Sequence, residues 1–197
     1  MARVRWSETG LVALALLVLC AGMPLLDLAL GSGRRQLAPG TIVSVGTESD
    51  GVRPVAVTVT HNGWVLNKGN SSLSGYAQLH SADVVFNLSV VIPLVPFDAR
   101  ELWDGLARIV AIGGRTRLGT RPRPITTAHG LSGLIGTLTG RGRTGTAAVY
   151  ATDTLGATVT AAGPPVAFQN VAAQVEAMVR TVTISGPGTS QTSEGRP

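Results

Sequence analysis

Three histidines are the residues of this sequence best suited to hold a metal ion, because imidazole is a preferred zinc ligand and three protein ligands suffice for a catalytic site. They are His61, His80 and His129. The three are far apart in the sequence, and none forms a short ligand motif with another histidine or a cysteine. The spacing therefore predicts histidines at turns and strand ends, with no metal site.

A serine nucleophile is the next chemistry to consider. Ser132 lies in GLSGL, residues 130–134, which lacks the final glycine of a nucleophile elbow. The elbow also needs a strand-to-helix turn, whereas this segment has the pattern of a strand. A hydrolase would require folding to bring together distant residues such as His129, Ser132 and Asp153. We therefore expect no catalytic residue and a protein that is not an enzyme.

Glycine-rich and carboxylate-rich segments also lack a catalytic or cofactor pattern. Residues 114–120 and 136–146 are rich in glycine but contain no lysine, so neither matches a phosphate-binding loop and no cofactor is expected. Asp98, Glu101 and Asp104 lie close together in the sequence. They fall on the polar side of a predicted amphipathic helix, which favours solvated carboxylates over acid-base catalysts.

Arginine supplies the one unusual charge feature. Residues 105–152 contain no acidic side chain and seven arginines, in a chain of net charge +5. Guanidinium groups bind phosphate well, which predicts a patch for anionic lipid headgroups or wall polymers; the alternative is a solvated loop. Nucleic acid is not an expected partner, because no aromatic residues alternate with the arginines to stack on bases. The candidate patch consists of Arg115, Arg117, Arg121, Arg123, Arg141 and Arg143.

Two tryptophans are the largest apolar side chains of the predicted domain. Trp64 and Trp103 are each expected to fill the core between a sheet and its helices. The alternative is that either one lines an apolar cleft that binds a ligand.

A hydrophobic run determines where these residues act. Residues 11–30 contain a single charged side chain, Asp27, and at ~1.5 Å rise per residue they span roughly 30 Å as a helix, the thickness of a bilayer core. They are predicted to form a single-pass membrane anchor. The flanking arginines favour a short cytoplasmic N-terminus at residues 1–10 and an extracytoplasmic domain. The alternatives are a signal peptide cleaved near residue 31 and a lipid-modified Cys20.

Composition divides the rest of the chain into three parts. Residues 31–40 are predicted to form a flexible linker, and residues 185–197 have the glycine, proline, serine and threonine content of a disordered tail. Residues 41–184 are long enough for one domain with a single core. The only cysteine, Cys20, lies in the hydrophobic run, so the domain contains no disulfide.

Hydrophobic periodicity predicts six strands and two helices. Asp98–Ile112 has helical spacing on the face of Leu102, Trp103, Leu106, Ile109 and Val110, and Asp98 with Glu101 has the form of a capping box. A second amphipathic helix is predicted at 167–181. The predicted strands are 52–60, 74–80, 83–92, 130–139, 144–152 and 157–162, with a turn at Asn62-Gly63. Clustered strands and two helices indicate an α+β fold, a mainly antiparallel sheet packed by both helices.

The sequence resembles a known family at several segments. These segments include VAVTVTHNGW at 55–64, the DARELWDGLARIV helix, THGLSGLIGTLTG, TAAVYATDTLGATVTAAGP and the closing VEAMVRTVTI. Together they resemble the LpqN/PsbP-like α/β/α sandwich proteins, with this chain as a small membrane-anchored actinobacterial member. The resemblance covers residues 41–184 and implies a non-enzymatic accessory or binding role, without supplying any functional residues. His61 and Asn62 depart from the family, because many relatives have proline near the Gly-Trp pair.

These observations predict a membrane-anchored, extracytoplasmic accessory protein of cell-envelope assembly or transport. Its expected partners are the lipid bilayer and a membrane protein, with an anionic lipid or wall polymer at the arginine patch. The alternatives are a periplasmic binder of a lipid or glycolipid, and a hydrolase.

Overall fold

Twelve strands and two helices make up the part of the chain that our computed structural model describes, residues 33–49, 51–112 and 116–185. The helices are α1 (Ala99–Ile112) and α2 (Pro165–Val179). The strands are β1 (Arg34–Leu37), β2 (Ile42–Val45), β3 (Val55–Thr58), β4 (Trp64–Asn67), β5 (Tyr76–Ser81), β6 (Val84–Val91), β7 (Thr116–Leu118), β8 (Arg123–Thr126), β9 (Ser132–Gly140), β10 (Arg143–Ala151), β11 (Gly156–Gly163) and β12 (Thr183–Ile184).

The strands form two sheets whose paired strands are antiparallel. The larger sheet has the order β1-β4-β5-β6-β11-β10-β9-β7, and β8 pairs with the half of β9 that β7 leaves free. The smaller sheet has the order β12-β3-β2. The mainly antiparallel α+β fold predicted from the sequence is therefore confirmed.

The larger sheet is covered unequally on its two faces. On one face, α2 and the smaller sheet pack over the main core, which includes Trp64, Phe86 and Val175. On the other face, α1 packs over β7, β9 and β10, where Trp103 and Val149 form a second, smaller core. Side chains of β10 are buried on both faces, because this strand lies between the two helices. The helices thus pack on opposite sides of the sheet.

Both predicted helices are confirmed, and their starts follow from local sequence. The side chain of Asp98 accepts hydrogen bonds from the backbone N–H groups of Arg100 and Glu101, each at 2.8 Å. Oε2 of Glu101 accepts in return from the N–H of Asp98 at 3.3 Å, which completes the predicted capping box. At the start of α2, Pro165 supplies a backbone angle suited to the first helical turn.

Two segments expected to lack regular structure form strands. Arg34–Leu37, predicted to be part of the flexible linker, form β1, because their backbone pairs with β4 and Leu37 enters the main core. β7 and β8 lie in the arginine-rich segment that was expected to be a loop. One helical residue also differs from expectation: Ile109 is 69% exposed, because α1 buries a narrower face than its spacing predicts.

The predicted membrane anchor at 11–30 lies outside the described residues, as does the predicted tail from residue 186 onward. Neither of the two described helices has the length and hydropathy needed to cross a bilayer.

Candidate functional site on the open sheet face

The predicted arginine patch is dispersed along one edge of the larger sheet. Arg115 lies outside the described residues, and the other five arginines are exposed. Strand alternation places Arg117 and Arg123 on the face that carries α2, where Arg123 forms an ion pair of 3.7 Å with Glu176. Arg121 lies in the loop between β7 and β8. Part of the positive charge on this face is therefore neutralised by α2.

The remaining two arginines lie at the β9–β10 hairpin. Arg141 is in the turn, next to Gly142, which adopts a φ of 65°. Arg143 begins β10 on the opposite face from Arg117, and its guanidinium donates a hydrogen bond of 3.0 Å to the backbone carbonyl of Ala162. The described arginines thus point to both faces of the sheet, and the fold does not gather them into one anion-binding surface.

Both candidate cleft tryptophans are core residues. Trp64 is fully buried, packs edge to face on Phe86 with ring centroids 5.9 Å apart, and directs its indole N–H toward Gln174 of α2 at 3.3 Å. Trp103 lies on the buried face of α1, and its ring packs against Gly136 of β9. The two rings lie on opposite sides of the larger sheet, so they cannot line a common cleft.

Folding brings together two of the three residues that a hydrolase would need. Ser132 and Asp153 both line a cavity of about 600 Å³ at the start of α1, together with Asp98 and Arg100. His129 does not line this cavity and is exposed in the turn before β9. The cavity therefore does not bring a histidine together with Ser132.

The feature that sequence reasoning missed is the outward face of β4, β5, β6 and β11. α1 reaches only one end of it, where Leu102 lies against Gly156 of β11 and Val91 of β6 joins the smaller core, and no described helix or strand packs over the rest. Its side chains are half-buried to exposed, mostly polar, and uncharged at neutral pH. We call this surface the open face; it consists of Val65, Asn67, Tyr76, Gln78, His80, Val85, Asn87, Ser89, Thr158 and Thr160.

A continuous chain of hydrogen bonds crosses the open face. Nε2 of His80 lies 3.0 Å from Oε1 of Gln78, and the Gln78 amide donates to Oδ1 of Asn87 at 3.1 Å. The amide of Asn87 then reaches Oγ1 of Thr160 at 3.5 Å. Because Oε1 of Gln78 can only accept, Nε2 of His80 is the donor, and in the neutral ring Nδ1 is an acceptor. Each bond polarises the next, which holds four side chains from three strands in one arrangement.

His80 is kept neutral by its surroundings. Burial lowers its pKa from the ordinary 6.5, and the nearby positive charge of Arg34 lowers the pKa further. The imidazole lines a cavity of about 200 Å³ at the edge of the open face, beside Arg34, Asn67 and Gly63. A neutral imidazole next to an amide and a guanidinium offers both acceptor and donor groups to a polar partner.

The open face carries fixed amide, hydroxyl and imidazole groups. The described residues contain no cluster of three potential metal ligands. A sequence signal for it exists, because polar residues alternate along each strand: Gln78 with His80, Asn87 with Ser89, and Thr158 with Thr160. What the sequence does not contain is the pairing that brings the three strands together.

The solved structures that are similar to this chain include one from a cyanobacterium and one from a Bacteroides species. The solution structure of the cyanobacterial PsbP protein CyanoP from Synechocystis has 15% sequence identity and a TM-score of 0.47, over 75% of this chain and 95% of that one. A crystal structure of a protein from Bacteroides thetaiotaomicron has 11% identity and a TM-score of 0.43, over 77% of this chain and 50% of that one. No protein-family model and no curated protein matches the sequence. These likenesses concern the fold alone, and the LpqN relationship stays a prediction.

Proposed function

We propose that this chain is a non-enzymatic accessory protein of the cell envelope that binds a protein partner through its open face. Residues 11–30 anchor it in the cell membrane by a single pass, and the described domain lies on the extracytoplasmic side. The partner is a membrane protein of envelope assembly or transport. The relationship to LpqN-like actinobacterial proteins belongs to the same proposal.

The observation that carries the proposal is the contrast between the two faces of the larger sheet. One face is covered by α2 and the smaller sheet, whereas on the other face most of the surface of β4, β5, β6 and β11 is covered by no described element. Tyr76 is 44% exposed there and lies among serine, asparagine and threonine. A tyrosine beside hydrogen-bonding side chains is a composition that suits protein recognition.

The alternative of a lipid or glycolipid binder has less support. It needs an apolar cavity beside Trp64 or Trp103, and both rings are packed in cores. The cavity at the start of α1 has charged side chains in its lining, among them Asp98 and Arg100. No observation favours lipid or glycolipid binding over protein binding.

Site-specific photocrosslinking in intact cells tests the proposed binding surface. A photoreactive residue at Ser89 lies on the open face without breaking the hydrogen-bond chain, and one at Gln169 lies on the exposed side of α2 as a matched control. We expect a membrane-protein adduct of one discrete mass from position 89 and none from position 169.

A third variant makes the crosslinking result specific. Adding Asn87→Arg to the position 89 probe places a charge on the open face and should reduce the adduct by about tenfold, as expected for a group at the centre of an interface. Equal adducts from positions 89 and 169, or an adduct that Asn87→Arg leaves unchanged, would overturn the proposal.

A further inference from the structure

The loop between β6 and α1 exposes apolar side chains to an unusual degree. Ile92 is 66% exposed, Leu94 is 100% exposed and Val95 is 70% exposed. The sequence carries no charged residue between Asp83 and Asp98, so nothing on the segment itself offsets this apolar surface. Neighbouring apolar residues exposed together mark a contact with another apolar phase or protein. We call residues 92–95 the apolar loop.

The position of the apolar loop is fixed by the register of the larger sheet. Arg35 pairs with Leu66, Leu66 with Leu79, and Leu79 with Phe86, so these four residues lie in one row across β1, β4, β5 and β6. The directions of the strands alternate, so β1 begins at the same end of the sheet at which β6 finishes. The described chain therefore enters the sheet at the end that carries the apolar loop.

Counting residues along the strands shows how far β1 and β6 each extend from this row toward this end of the sheet. Gly33 lies two residues from the row of Arg35, and Ile92 lies six residues from the same row on β6. The difference of four residues places the apolar loop roughly 13 Å beyond Gly33 at the usual rise of a strand. Three residue steps separate Leu30, the last residue of the hydrophobic run, from Gly33, and an extended chain of that length reaches about 10 Å.

We propose that the apolar loop dips into the headgroup layer of the bilayer in which residues 11–30 are anchored. This inference rests on the anchoring proposed above, which sets the bilayer surface at the height that the loop reaches. The charges at this end of the sheet are of both signs: Arg34, Arg35, Lys68 and Arg100 are positive, and Asp98, Glu101 and Asp153 are negative. The contact is therefore apolar, and it does not depend on anionic lipid or on salt.

Fluorescence quenching of the full chain in phosphatidylcholine nanodiscs tests the contact. In a Trp6→Phe background, Leu94→Trp places an indole on the apolar loop, and Trp64 and Trp103 stay buried. Val166→Trp is the matched control, because Val166 is 72% exposed at the start of α2, which follows the far end of β11. With brominated lipid we expect the added emission at position 94 to fall by about half and that at position 166 to be nearly unchanged.

The outcomes separate this inference from the proposed function. Equal quenching at positions 94 and 166 in a chain that stays with the nanodisc would overturn the lipid contact and leave the anchor intact. A chain that leaves the nanodisc without detergent would overturn the anchor itself. If Leu94→Trp is shielded only in native membranes and never quenched by brominated lipid, a protein covers the loop and the lipid contact is wrong. Ile92→Trp repeats the measurement at a second site on the loop.

Discussion

Removing the hydroxyl of Tyr150 tests how α2 is held on the sheet. Tyr150 is fully buried in β10, and its hydroxyl donates a 2.8 Å hydrogen bond to the backbone carbonyl of Val179. Val179 is the last residue of α2, where a carbonyl has no partner within the helix. Tyr150→Phe keeps the ring in the core and removes only this bond.

The expected loss of stability follows from the geometry at Val179. A typical buried hydrogen bond contributes about 1 kcal/mol net, and a carbonyl left without any partner costs roughly 1–3 kcal/mol. The carbonyl of Val179 also accepts from the N–H of Val182 at 3.4 Å, so it keeps one weak partner in the variant. We therefore expect Tyr150→Phe to lower the free energy of unfolding by about 1–2 kcal/mol and Tm by about 4 °C.

The same substitution should change how stability depends on pH. Burial raises the pKa of Tyr150 well above its usual 10, although the positive charge of Arg180 opposes the rise. Because the folded-state pKa exceeds the unfolded value, the contribution of protonated Tyr150 to the free energy of unfolding is complete below pH 10 and is lost as the pH rises above 10. The loss reaches up to about 1.4 kcal/mol per pH unit. Tyr150→Phe should lack this loss.

Urea unfolding of the full chain in mild detergent, at pH 8 and again above pH 10, measures both effects. Tyr76→Phe is the control, since Tyr76 is 44% exposed on the open face, and its free energy of unfolding should change by less than about 0.5 kcal/mol. If Tyr150→Phe is as stable as the parent at pH 8 and falls equally with alkali, the assigned role of the hydroxyl is wrong.

Three further predictions concern His80, two glycines and the cap of α1. Because burial and Arg34 lower the pKa of His80, its imidazole should titrate below 6.5 by NMR, and Arg34→Gln should raise that midpoint. The contribution of neutral His80 to the free energy of unfolding is present at neutral pH and is lost as the pH falls through the midpoint. Gly145→Ala drives a Cβ into the backbone of β11 and should lower the free energy of unfolding by roughly 2–3 kcal/mol. Gly105→Ala has open space around the new Cβ in α1 and should raise the free energy of unfolding by about 0.5–1 kcal/mol. A Gly145→Ala variant more stable than Gly105→Ala would refute this packing. Asp98→Ala should cost about 1 kcal/mol by removing the α1 cap, and Asp98→Asn much less; equal losses would contradict the capping role.

The parts of the fold that depend on residues close together in the sequence were predictable. The capping box at Asp98 and the apolar stripe of α2 are local patterns, and both helices form where these patterns indicate. The strands with clear alternation, such as β6 and β10, also form within a few residues of the predicted bounds.

The parts that depend on distant pairing were not predictable. The residues of β1, RRQL, include one apolar side chain, and they form a strand only because β4 supplies the partner backbone. The open face has the same origin, since Gln78, Asn87 and Thr160 meet only when β5, β6 and β11 are paired. The arginine and tryptophan hypotheses relied on proximity in sequence or on residue size, and neither quantity reports which face a side chain occupies.

The two-residue strand β12 gives this domain a late folding step. Thr183 pairs with Ala56 of β3, and the nearby bond between the N–H of Thr58 and Oγ1 of Thr181 joins residues 123 positions apart. A polypeptide that leaves the ribosome N-terminus first therefore has β3 long before its partner emerges. The smaller sheet stays incomplete until almost the whole described chain has been synthesised.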